Sequence, residues 1–142
     1  MPDSSIITPA MRQAIGTTGT PRSVTIERGA IVRFAKAIGD PNPAYPDIAP
    51  PTFLRSVGLA VPPLPDAASV PRVLDGGSEW TYGAPIRPGD TITITTAIES
   101  LKEREGRMGT MLICDYRTAY VNQDGVAAAT QHNTVIRMRA AE

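Results

Sequence analysis

Four strand-forming runs follow one another through the second half of the chain, and no other feature restricts the fold as much. They are GGSEWTYGAPI (76–86), DTITITTAIESL (90–101), MGTMLICDYRTAYV (108–121) and VAAATQHNTVIRMRA (126–140). All are rich in β-branched or aromatic residues. NQDG, Asn122 to Gly125, is a hairpin turn, and IRPGD, Ile86 to Asp90, carries turn chemistry ahead of the second run. KEREGRMG, Lys102 to Gly109, reads as the other hairpin connection. These runs predict an antiparallel meander.

Helical signals are confined to the first half. SVTIE, Ser23 to Glu27, alternates like a short strand. From Arg28 to Ile38 the apolar residues Ile31, Phe34, Ala35 and Ile38 recur at helical spacing; Gly39 then suits a C-terminal cap and Pro41 forbids continuation. After Pro51, Thr52 to Ala60 reads as a second, more apolar helix, followed by the proline-punctuated loop PPLPDAASVP. The first twenty residues, rich in Ser, Thr, Gly and Pro, read as a loose lead-in. The class is α+β: helices, then a sheet whose apolar face needs a cover, with Thr52 to Ala60 as the candidate.

A chain of 142 residues with 42% apolar and 20% charged residues fits one domain, residues 1–142, with one core. Fourteen basic residues against fourteen acidic ones, with no basic run, argue against a nucleic-acid or anionic-membrane partner. One cysteine, Cys114, and one histidine, His132, are too few for a disulfide or an ordinary zinc site, so no metal and no cofactor is expected. Neither a secretory leader nor an apolar stretch of membrane-spanning length is present, which makes the cytoplasm the expected location. Aromatic residues are only 5%, so the core must come from Ile, Val, Leu, Ala and Met; a small monomer built so is marginal, which points to oligomerisation.

FAKAIGDPNPAYPD, Phe34 to Asp47, ends its helix on three closely spaced prolines and loads the exit with Asp40, Asn42, Tyr45 and Asp47. Together with APPTF, APIRPGD and NQDG, this stretch resembles the MaoC-like hydratase/dehydratase family, over roughly Gly16 to Arg139. The resemblance implies a hot-dog fold, a curved antiparallel sheet wrapped around a central helix, with such units working in pairs. It implies acyl thioesters of coenzyme A or of acyl carrier protein as substrates. The implied reaction is reversible addition of water to a 2-enoyl thioester, giving the R-3-hydroxyacyl product. The family motif runs Asp-x-Asn-Pro-x-His. Here Asp40 and Asn42 match, and Tyr45 stands where the catalytic His belongs. That departure resembles the N-terminal, non-catalytic half of double-hot-dog members, or the separate subunit that pairs with a catalytic one.

Physical chemistry says why the departure matters. Residues five apart on a helix point about 140° away from each other, so position 45 meets Asp40 only if the chain leaves the helix, as the prolines ensure. A convergent Asp and His would orient and activate a water near the substrate's C3. A phenol with a pKa near ~10 is a poor base at neutral pH, but it can donate a hydrogen bond or pack against an acyl chain. Loss of a matched base costs about 10² to 10⁴ in rate, so the chain alone is not expected to hydrate well.

Asp40 is thus the one candidate catalytic residue, and it can equally well accept hydrogen bonds from turn amides. Substrate-binding candidates are Asn42, Tyr45, Trp80, Arg55 and Arg87. Trp80 and Tyr82 share a strand face and can floor an acyl pocket or pack in a core or interface. Arg55 and Arg87 suit phosphate, or simply lie solvated on the surface. His132 reads as a surface or interface residue and Cys114 as a small buried hydrophobe. The leading expectation is one subunit of an (R)-specific enoyl-CoA hydratase or 3-hydroxyacyl thioester dehydratase, homodimeric alone and heterodimeric with a catalytic MaoC-like subunit. The alternatives are a homodimeric hot-dog acyl-CoA thioesterase using Asp40, and an acyl-thioester binding module without chemistry.

Overall fold

The computed structural model describes residues 4–141. Five strands form one antiparallel sheet: β1 (Arg22–Thr25), β2 (Arg72–Tyr82), β3 (Thr91–Gly106), β4 (Gly109–Val121) and β5 (Ala127–Met138), in the order β1-β3-β4-β5-β2. All five expected runs are strands. Two are longer than their composition suggests. β3 continues through the charged Lys102–Gly106 segment to a turn of only Arg107 and Met108, with Gly106 opposite Gly109. Side chains on this stretch stand exposed while the backbone stays paired with β4, so polarity there marks the edge of the core rather than a loop. β2 likewise begins at Arg72 and carries a bulge between Asp75 and Gly77.

Alternation decides which face is covered. Ile92, Ile94, Thr96 and Ile98 of β3, Leu112 to Tyr120 in steps of two on β4, and Ala129, Gln131 and Asn133 of β5 are buried on the inner face. Two groups of residues cover it. Ile31 of the helix α2 (Arg28–Ala37), with Phe53, Leu54 and Ile86, packs on Ile92, Ile94, Tyr120 and Ala129. Phe34 meets Phe53 edge-on at 5.6 Å.

The second group corrects the expectation of a loose lead-in. Ile6, Ile7 and the helix α1 (Pro9–Ala14), whose Met11 is fully buried, pack with Val70 on Ile98, Leu101, Leu112, Cys114 and Tyr116. The Thr8 hydroxyl caps α1 by accepting from the Met11 amide, 3.2 Å. Glu103 of β3 accepts hydrogen bonds from the Ser5 hydroxyl and the amides of Ile6 and Ile7. Four apolar side chains and one carboxylate therefore fasten a segment whose composition looks unstructured.

A second correction concerns Thr52 to Ala60. A single 3-10 turn (Pro51–Phe53) leads into α3 (Leu54–Val57), and there helix stops. Gly58 takes φ +81°, a conformation that suits glycine and ends the helix. Beyond it the backbone lies directly on the sheet: the Tyr120 hydroxyl donates to the Gly58 carbonyl at 3.1 Å, and the Ala60 amide donates to Thr96 Oγ1 at 3.1 Å. The buried hydroxyls of β3 and β4 satisfy polar groups that a longer helix would have satisfied internally. No helix among the described residues is long and apolar enough to cross a membrane.

Candidate functional site

Hydrogen bonds at the exit of α2 build the site almost without help from elsewhere. The Asp40 amide closes the last turn on the Ala35 carbonyl at 3.0 Å. Asp40 Oδ1 then accepts from the Asn42 amide at 3.1 Å, and Asn42 Oδ1 accepts from the Ala44 amide at 2.9 Å. The Tyr45 amide donates to the Asn42 carbonyl at 3.1 Å. Two successive side-chain turns thus bend the chain back, and the Tyr45 hydroxyl reaches Asp40 Oδ2 at 3.2 Å. The expected convergence of positions 40 and 45 is present, and so is the plainer role of Asp40 in the turn: one oxygen serves each.

Desolvation of the half-buried ring, then the hydrogen bond and negative charge of Asp40, raise the Tyr45 phenol above its ordinary 10.0. A phenol raised further from neutrality is a donor and not a base. Asp47, the last polar residue of the stretch, pairs with Arg28 at 2.8 Å on the surface.

Asp40, Asn42 and Tyr45 line one recess of ≈ 610 Å³ with Val32, Ala35 and Lys36 of α2. Asn42 and Tyr45 also line a second, ≈ 360 Å³, with Pro50, Pro51, Tyr82 and Ile86 among its walls. Trp80 joins this neighbourhood through Tyr82: their rings stack at 6.1 Å with 8° between planes, and Trp80 stacks on Tyr120 at 5.6 Å. The two arginine candidates lie apart. Arg55 pairs with Asp75 at 3.3 Å, and Arg87 belongs to the β2–β3 turn, its amide donating to Asp90 Oδ2 at 2.8 Å. Neither lines a recess beside Asp40. His132 is exposed on the other face of the sheet, 2.9 Å from Glu99, so its imidazole does not stand in for the missing one. Cys114 is buried, and burial pushes its thiol up to about 11.

Tyr120 was not singled out by the sequence reading, yet it is the largest fully buried side chain. Burial pushes its phenol up to about 12. Its hydroxyl bridges the Gly58 carbonyl and Gln131 Oε1, beside a Thr96–Thr118 hydroxyl pair at 2.9 Å. The period-two series Tyr116, Thr118, Tyr120 in β4 is the signal that could have placed it on the covered face.

Residues 13–131 match a family model described as FAS1-like, dehydratase domain region. A UPF0336 protein of Streptomyces avermitilis is 36% identical over 98 residues, which are 57% of this chain and 65% of that protein, so the match spans less than two thirds of that relative's length. A chain of the ChsH1-ChsH2 complex from Mycobacterium tuberculosis superposes with TM-score 0.78 at 21% identity, covering 94% of this chain and 91% of its own. The MaoC-like dehydratase from Rhodospirillum rubrum gives TM-score 0.69 at 20% identity, covering 91% of this chain and 95% of its own. The α+β hot-dog fold follows from these superpositions, and the helix expected at its centre, Thr52 to Ala60, is here the single turn α3.

Proposed function

The chain belongs to the FAS1-like dehydratase-region family, and on that premise we propose that it is the half lacking the catalytic His in a paired (R)-specific enoyl-thioester hydratase or 3-hydroxyacyl-thioester dehydratase. The observation that carries this reading is the phenol of Tyr45 at the position of the family's base, hydrogen-bonded to Asp40. Adding water to a 2-enoyl thioester needs a base to take a proton from water as its oxygen bonds C3, and an acid to supply a proton at C2. Tyr45 is held protonated and Asp40 is engaged through both oxygens. The partner's Asp and His supply that pair of groups. The same engagement of Asp40 counts against the thioesterase alternative, which needs a free carboxylate as base or nucleophile.

This half contributes walls. Asn42 and Tyr45 border both recesses, and the Trp80–Tyr82 stack offers an apolar floor for an acyl chain. Arg55 is held by Asp75 and Arg87 lines neither recess, so contact with the acyl chain, rather than with phosphates, is the role assigned here. Pairing uses β2, an eleven-residue strand at the sheet edge with Val73 and Tyr82 exposed. Its free backbone groups are a template for a further strand. The fold similarity to a chain of the ChsH1-ChsH2 complex supports a two-chain assembly. The chain is a homodimer alone and a heterodimer when the catalytic subunit is present.

The test is co-expression with a hot-dog subunit carrying the intact Asp-x-Asn-Pro-x-His motif, followed by hydration assays on crotonyl-CoA and longer 2-enoyl-CoA substrates. The isolated chain should be inactive and the complex active. Turnover by the isolated chain at about the ordinary enzyme median of ~10 per second, abolished by Asp40→Ala, would sink the assignment.

A further inference from the structure

The outer face of the sheet carries a feature that the acyl-thioester reading does not use. At the end remote from Tyr82, strand register lines up two adjacent cross-strand rows: Leu74, Ile136, Ile113 and Lys102 in one, Arg72, Met138, Met111 and Arg104 in the next. Directly opposed residues share a face, and residues two apart return to it. The rows therefore make an apolar strip across β2, β5, β4 and β3 with a cation at three of its four corners; Met138 is buried within it, at 3% exposure, and Leu74, Ile136, Ile113 and Met111 are its accessible apolar residues. Leu74 is 51% exposed, and Met108, at the β3–β4 turn, is 66% exposed. Arg107 of the same turn and Arg139, just past β5, add two cations; Arg72, Arg139 and Met108 border a recess of ≈ 400 Å³.

Among the described residues charge is one-sided here, although the chain is neutral overall. Arg72, Arg104, Arg107 and Arg139 make no ion pair among the described residues, and Lys102 approaches only Asp115, at 3.9 Å. That carboxylate already accepts from Ser100 and Thr134. The other acids nearby, Glu103 and Glu105, alternate onto the inner side, where Glu103 holds the N-terminal segment and Glu105 accepts from Thr110.

Dimensions select among anionic partners. Four strands at about 4.8 Å spacing make the strip about 14 Å long, and two rows make it about 7 Å wide. Three turns of α-helix rise about 16 Å, and a single apolar helix face fits that width. We propose that this strip docks an acidic amphipathic helix of a protein partner, its apolar stripe on Leu74, Ile136, Ile113 and Met111, its carboxylates toward Arg72, Lys102, Arg104 and Arg139. This is helix-in-groove recognition with charge setting the partner's sign. Strand addition along β2 leaves the outer face open, so the docking site is independent of the pairing proposed above.

A fluorescein-labelled synthetic helix of three to four turns, with leucines on one face flanked by glutamates, is the probe for fluorescence anisotropy on the full chain. Binding in the range of about 10 to 100 μM is expected, at least about tenfold weaker for the same peptide with lysine for glutamate, and weakening with salt. Arg72→Glu combined with Arg104→Glu should remove binding of the acidic peptide and admit the basic one, an exchange that a misfolded variant cannot produce. Absence of binding at about 1 mM, equal affinity for the two peptides, or indifference to the double substitution overturns the proposal. So does the sedimentation of the protein on phosphatidylglycerol vesicles if that is lost in the double variant while the peptide fails to bind, since the strip would then serve a membrane.

Discussion

The Tyr45 hydroxyl donates to Asp40 Oδ2 across 3.2 Å, five residues apart on a chain that has just left a helix. On a continuing helix the two side chains would diverge; here two Asx-type turns bring them together. The carboxylate that would position a water is occupied in holding the loop.

Tyr45→Phe removes this hydrogen bond and keeps the ring. In the complex with a catalytic partner, turnover should change by less than about tenfold, the equivalent of ~1.4 kcal/mol in barrier height. A loss of about a hundredfold or more with unchanged assembly would put the phenol into the chemistry.

Trp80 is the single tryptophan of the chain, half-buried on the inner side of β2 and stacked between Tyr82 and Tyr120. Its emission therefore reports on one place. Addition of the catalytic subunit should shift the emission to the blue, as β2 gains a neighbour and the indole loses water. An unshifted spectrum alongside a heterodimer by light scattering would mean that the partner docks elsewhere.

Met11→Ala tests whether the N-terminal segment belongs to the core. Met11 is fully buried between α1 and the inner face, so truncation should lower unfolding stability by about 2 to 5 kcal/mol in urea titrations. A loss below about 1 kcal/mol would show that α1 detaches without consequence.

Glu103 gives a pH dependence of known sign. Its hydrogen bonds from Ser5 and from the Ile7 and Ile6 amides, with Arg12 nearby, lower its pKa below the ordinary 4.5. A depressed carboxylate contributes stability that is present above its unfolded-state pKa and lost as pH falls through the folded value. Wild type should therefore exceed Glu103→Gln in melting temperature at neutral pH, with the gap closing below about pH 4.5. A gap of constant size down to about pH 3 would show that the charge is not what holds the N-terminus.

The strands were legible from their β-branched and aromatic content, most plainly in β3, which places Ile92, Ile94 and Ile98 in alternation on a covered face. The Asp40–Tyr45 pair was legible because prolines limit where a chain can go. Neither rule reaches the N-terminal segment: Ile6, Ile7 and Met11 are spread among Pro, Ser and Thr, and Glu103, which accepts from Ser5, Ile6 and Ile7, lies 96 to 98 residues away in sequence. Thr52 to Ala60 misled for the opposite reason. Its apolar content was real, but burial of Leu54 needs only one turn, and Gly58 with the hydroxyls of Thr96 and Tyr120 offers the backbone another set of partners. Tyr120 itself stayed hidden because the weight of a buried phenol shows only once the strand beside it is known.

The stretch from Gly58 to Ala60 makes the filling of the sheet thin. A helix lying there would hold the opposing layer about 10 Å off, whereas a single extended chain needs about half of that. The extended chain meets the sheet margin closely: Gly19, whose amide donates to the Thr96 carbonyl at 3.0 Å, has no room for a Cβ, which would stand 2.1 Å from the Ala60 carbonyl oxygen, so two bare backbones touch there. The saved thickness is not returned as a second layer over β2, where Val73, Ser78 and Tyr82 stand exposed. The inner face of the sheet is therefore covered over β3 and β4 and left open along β2, the strand that waits at its edge.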